Sequence, residues 1–95
     1  MNESATPVID VTTDTTNILG RPHKVILFND ESHSYDEVVR QVGKATGYGQ
    51  AKAEAITHEA HTKGRAIAYT GNLERCELVE SILAEIRLST KIEEA

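Results

Sequence analysis

From residue 22 onward the spacing of apolar positions changes period several times, and each change marks an element. His23-Lys24-Val25-Ile26-Leu27-Phe28-Asn29 is a short β-branched and aromatic run, which predicts a strand buried on both faces or nearly so. It stops at the turn formers Asn29-Asp30-Glu31-Ser32. Ser34-Tyr35-Asp36-Glu37 reads as a capping box, with the Ser34 hydroxyl accepting from the Glu37 amide and the Glu37 carboxylate reaching back. Behind it Tyr35, Val38, Val39, Val42 and Ala45 recur at helical spacing, and Gly47 is placed to end that helix. A second helix is expected from about Gln50 to Lys63, on a narrow stripe of Ala53, Ile56 and Ala60, with Gly64 closing it.

Arg65 to Thr70 alternates enough for a second strand, ended by Gly71-Asn72. Asn72 then caps a third helix marked by Cys76, Val79, Ile82, Leu83 and Ile86, whose other face carries Glu74, Glu77, Glu80 and Glu85 as a solvated surface. Leu88 to Glu93 is a weak final strand. The order β-α-α-β-α-β predicts an α+β fold, a small three-stranded antiparallel sheet packed against three helices. Residues 1–21 read differently. The stretch Val11 to Asn17 is polar and β-branched without a sustained apolar face, so it is expected to be a flexible tail ahead of a core domain spanning 22–95.

Composition narrows the function. Ninety-five residues suffice for one small domain, and with no Trp and only four aromatic residues its core rests on Val, Ile, Leu and Ala. Such a core leaves little room for a large buried catalytic cavity. A net charge of -5 disfavours nucleic acid and anionic membrane as partners and favours cationic ones. The single cysteine, Cys76, excludes an internal disulfide framework and fits a reducing cytoplasm. No run approaches the roughly 20 apolar residues of a membrane span, and the N-terminus lacks a basic start and apolar core, so no secretory signal is expected.

Three groups carry candidate chemistry. Asn29-Asp30-Glu31 gathers acceptors where a strand gives way to a helix, which suits an ammonium or metal ion, or an ordinary Asx-rich turn. His58 and His61 lie three apart on the second helix, a poor zinc site without a Cys cluster. Cys76 falls on an apolar stripe among glutamates, the setting of a small core side chain and not of a nucleophile. Nucleophile elbow, phosphate loop and dinucleotide fingerprint are all missing from the sequence, so no enzyme, no metal and no cofactor are expected.

The block from His23 to Glu31, followed by a helix and then by Glu59-Ala60-His61-Thr62-Lys63-Gly64-Arg65-Ala66, resembles the ClpS adaptor family over about residues 22 to 93. That family carries a strand ending in Asn-Asp-Asp and a helix ending in His-x-x-Gly-Lys/Arg-Ala. The resemblance implies a fold like the C-terminal domain of the large ribosomal stalk protein. It also implies a monomeric, cytoplasmic, non-enzymatic adaptor that binds proteins with a bulky hydrophobic N-terminal residue. Such adaptors pass their substrates to a Clp AAA+ unfoldase, of the ClpA or ClpC type, for degradation by ClpP.

By the same resemblance Asn29, Asp30, Glu31 and His61 would hold the α-amino group, which is mostly cationic near neutrality and offers three donors. His33, Tyr35, Val38, Thr57 and Ala60, with Leu88, would border the pocket for the first side chain, and Glu74 would contact the unfoldase. For Tyr35, Val38 and Ala60 plain core packing predicts the same placement. Several positions depart from the family. Glu31 stands for its second Asp, His33 for a common Thr, Tyr35 and Thr57 for two common Met residues, Ala60 for a common Val and Val79 for a common Lys. The pocket is therefore expected to have a shifted hydrophobic preference, admitting aromatic residues deeper or tolerating Ile and Val. Two other readings stay open. One is a docking module of the same fold that works through its acidic third helix; the other is a metal-binding or hydrolytic domain using His58, His61, Asp30 and Glu31.

Overall fold

The computed structural model describes residues 21–95, so the expected tail, apart from Arg21, lies outside the described residues. Strand β1 (His23–Phe28) leads into helix α1 (Tyr35–Thr46) and helix α2 (Gln50–Lys63), and strand β2 (Arg65–Gly71) follows. Helix α3 (Leu73–Leu83), a 3-10 turn (Ala84–Ile86) and strand β3 (Thr90–Glu94) complete the order. The result is the expected β-α-α-β-α-β arrangement. β1 is central, with β2 and β3 antiparallel on either side.

Local chemistry explains the boundaries. Ser34 and Glu37 form both halves of the capping box at the start of α1, and Asn72 caps α3 by accepting from the Arg75 amide. α1 and α2 both end on glycines in the left-handed region, Gly47 at φ 80° and Gly64 at φ 89°. α2 begins at Gly49 without a side-chain cap, so its start depends on the packing of Ala53, Ile56 and Ala60.

The core lies between the helices and one face of the sheet. Val25 and Leu27 of β1 meet Ala66 and Ala68 of β2, the α1 stripe from Val38 to Ala45, and Cys76, Val79 and Leu83 of α3. Along β1–β2 the register passes from Val25 opposite Tyr69 to Ile26 opposite Ile67, so Ala68 is an extra, bulged residue. The bulge lets both Ala68 and Tyr69 pack on the core side. On the other face Ile26 is buried outside that core, bordered by Lys24, Ile67 and Glu93, while Ile67 is half exposed. Glu59 of α2 borders the same hollow, so the expected two-sided burial of β1 comes from its strand neighbours and the end of α2.

Two boundaries differ from the sequence reading. Ile86 lies in the 3-10 turn and not on α3, and the last strand starts at Thr90 and not at Leu88. The cause is Arg87, a non-glycine residue in the left-handed region at φ 63°, whose amide returns to the Ala84 carbonyl. The glutamates of the third helix are not all a solvated face either. Glu80 is half-buried and accepts from the Thr90 hydroxyl at 2.7 Å, whereas Glu85, in the 3-10 turn, stays exposed as expected while accepting from Lys44 and Gln41 of α1. Among the described residues no helix is long and apolar enough to cross a membrane.

Candidate functional site

The site begins where β1 stops. Phe28 donates its amide to the Ser89 carbonyl at 3.0 Å, and Asn29 donates to the Gly64 carbonyl at 2.9 Å. The second bond ties the acidic corner to the residue that closes α2, three positions beyond His61. A strand end and a helix end more than thirty residues apart in sequence are thereby fixed side by side.

The turn after Asn29 is held by its own side chains. Asp30 accepts from the Ser32 amide at 2.6 Å and from His33 Nδ1 at 2.5 Å. The Ser32 amide is the main reason that the Asp30 carboxyl titrates below the ordinary aspartate value; partial burial opposes this, and His33 adds to the lowering. Asn29 donates Nδ2 to Glu31 at 2.8 Å, which orients its amide and leaves Oδ1 as an acceptor with no partner among the described residues.

Beside this corner is a cavity of about 200 Å³. Asn29, Asp30, Glu31 and His61 border it on the polar side, and His33 stands with Asp30. On the apolar side it is lined by Val38, Thr57 and Ala60, all nearly inaccessible, together with Leu27 and Phe28. Tyr35 completes the lining while remaining 43% exposed; its hydroxyl donates to the Glu54 carbonyl at 3.1 Å and ties the first turn of α1 to α2. Thr57 donates its hydroxyl to the Ala53 carbonyl at 2.8 Å, so its proton is committed within the helix.

The electrostatics favour a cation. Two carboxylates border the cavity, and the carbonyl-rich end of α2, where His61 sits, carries the negative end of the helix dipole. A positive group entering here meets acceptors on one side and apolar atoms on the other. Among the described residues no group of three or more His, Cys, Asp or Glu side chains is arranged to hold a metal ion, and His58 is exposed away from the cavity lining. Cys76 is fully buried and burial pushes its thiol up, the opposite of nucleophile activation.

Asn29, Asp30, Glu31 and His61 therefore border one cavity, along with His33, Tyr35, Val38, Thr57 and Ala60. Leu88 does not. The turn at Arg87 directs it into the core, where it is 5% exposed, and not into the pocket lining as expected. Glu74 lies exposed in the first turn of α3, outside the cavity lining. Tyr35 is not the buried core residue that its helical spacing suggested. The sequence reading missed Leu27 and Phe28 as lining residues, although their position just ahead of Asn29 was the available signal.

The model of the family described as ATP-dependent Clp protease adaptor protein ClpS matches residues 20–90. A search of curated proteins finds no match. Among solved structures, Agrobacterium tumefaciens ClpS2 bound to L-phenylalaninamide aligns with a TM-score of 0.73 at 16% identity, covering 79% of this chain and 98% of that one, which shows a shared fold.

Proposed function

The chain belongs to the ClpS family of adaptors for the ATP-dependent Clp protease, and from that premise we propose that its cavity reads the N-terminal residue of substrate proteins. The α-amino group sits at the polar side. Asn29 Oδ1, the Glu31 carboxylate and an unprotonated nitrogen of His61 accept its three protons, while Asp30 shapes the corner and adds negative potential. The first side chain enters between Tyr35, Val38, Thr57 and Ala60.

The observation that carries this reading is the meeting of cation-accepting groups and an apolar lining in one cavity, with the Asn29 corner bonded to the end of α2. Each charge-assisted hydrogen bond contributes about 1.5–3 kcal/mol. Burial of a Leu or Phe side chain adds about 1.5–3 kcal/mol. An acetylated or internal residue lacks the charge and leaves acceptors unmatched, which accounts for selection of a chain terminus. Catalysis plays no part.

The finer part of the proposal is delivery to a Clp AAA+ unfoldase of the ClpA or ClpC type, by a monomeric adaptor in the reducing cytoplasm, with the exposed Glu74 on α3 in the contact. Co-migration with a ClpA or ClpC N-terminal domain tests delivery. Recognition is tested by titrating peptides that begin with Leu, Phe, Tyr, Trp, Ile, Val or Arg, with acetylated Leu as control. Saturable binding that needs a free amine is expected, and equal binding of the acetylated peptide refutes the proposal. Affinity also falls in base above about pH 8 as the ligand amine loses its proton.

A further inference from the structure

We propose that His33 sets the first-residue preference of this cavity, so that Trp and Tyr are bound ahead of Phe and Leu. The inference rests on the N-terminal-residue reading above and specifies the side chain that the site selects. It starts from which polar atoms beside the apolar lining still have hydrogen-bonding capacity. Thr57 has committed its hydroxyl proton to the Ala53 carbonyl, and Tyr35 has committed its own to the Glu54 carbonyl. Each can still accept, but neither has a proton to offer.

His33 completes the set. Its Nδ1 lies 2.5 Å from the Asp30 carboxylate, with the two side chains only 19% and 12% exposed. A ring nitrogen facing a carboxylate carries the proton, so in the neutral tautomer Nε2 is a lone-pair acceptor. Among the described residues Nε2 has no partner, while His33 borders the cavity. Beyond the groups proposed to hold the amine, the residues bordering the cavity therefore offer apolar atoms and acceptors.

Such a lining distinguishes ligands by whether they bring a donor. The indole N–H of Trp and the hydroxyl of Tyr supply one at the edge of an apolar ring. Phe and Leu fill the same space, strip water from His33 Nε2 and return nothing. Thr57 and Ala60 are small side chains on α2 and leave width for a ring.

The test measures affinities of four peptides that differ only in a first residue of Trp, Tyr, Phe or Leu, with the full chain at neutral pH and an acetylated control. Two variants accompany the wild type. H33L removes both ring nitrogens. H33N keeps a side-chain amide donor toward Asp30 but no acceptor at the Nε2 position, so the corner is preserved while the selecting atom is lost. The wild type is expected to favour Tyr over Phe and Trp over Leu by roughly three- to tenfold. In H33N, and in H33L if it folds, both ratios fall to within about twofold.

Equal or tighter binding of Phe and Leu by the wild type overturns the inference. So does a preference for Tyr and Trp that persists in H33N. In either case the free-amine requirement is still intact and the site reading stands. Binding of the acetylated control as tightly as the free amine removes that reading and the inference together.

Discussion

Replacing Asp30 with Ala removes the group around which the turn after β1 is organised. Two hydrogen bonds are lost, from the Ser32 amide and from His33 Nδ1. Ser32 is exposed, so water compensates its amide, and that bond sits at the low end of the range for charged acceptors. The His33 pair is only 19% and 12% exposed and is less well replaced by solvent. Together they amount to about 2 kcal/mol at neutral pH. In a domain of this size that is a fall in Tm of roughly 8–16 °C.

The pH dependence makes the test specific. Asp30 titrates below its unfolded value, chiefly because of the Ser32 amide. Its contribution is therefore complete above the ordinary aspartate value of about 3.9 and is lost as the pH falls below it. Urea unfolding of wild type and D30A between neutral pH and pH 3 is the assay. The gap between the two proteins should persist from neutral pH down to about pH 4 and close on acidification below it. A gap of the same size at both ends of the range would mean that the carboxylate charge does not hold the turn, and the argument would fail.

Two smaller effects follow from features elsewhere in the fold. S34A breaks the capping box of α1 and should cost about 1 kcal/mol, a Tm loss of roughly 4–8 °C by calorimetry; an unchanged Tm would refute the cap's role. Cys76 is fully buried with its thiol pushed up, so a disulfide reagent at mildly alkaline pH should label the native protein roughly 100-fold more slowly than the protein in denaturant, and equal rates would contradict the placement.

Much of the fold was legible because its boundaries are made by local chemistry. Ser34, Glu37, Gly47, Gly64 and Asn72 act within a few residues of themselves, and each performs the capping role that its neighbours in sequence suggest. The turn at Arg87 was hidden because a residue with a Cβ occupies the left-handed region there, without the glycine that would have announced it. That one turn displaced both Ile86 and Leu88 from their expected roles. The bulge at Ala68 was equally hidden, since register is decided between strands and β2 alternates plausibly either way. At the site, the residue types and their grouping were readable. The Asn29–Glu31 bond and the Asp30–His33 pair were not, because they depend on how a short turn closes in three dimensions.

The single main-chain link between Asn29 and Gly64 divides the molecule's freedom to change. It uses no side chain, so mutation of either residue's neighbours leaves the backbone groups that form it. Side chains at positions 35, 57 and 60, which line the cavity, can therefore vary without touching the peptide atoms that join strand end to helix end. If the proposed reading holds, descendants of this scaffold can exchange one clientele for another without rebuilding the main-chain clasp beside which each client would dock.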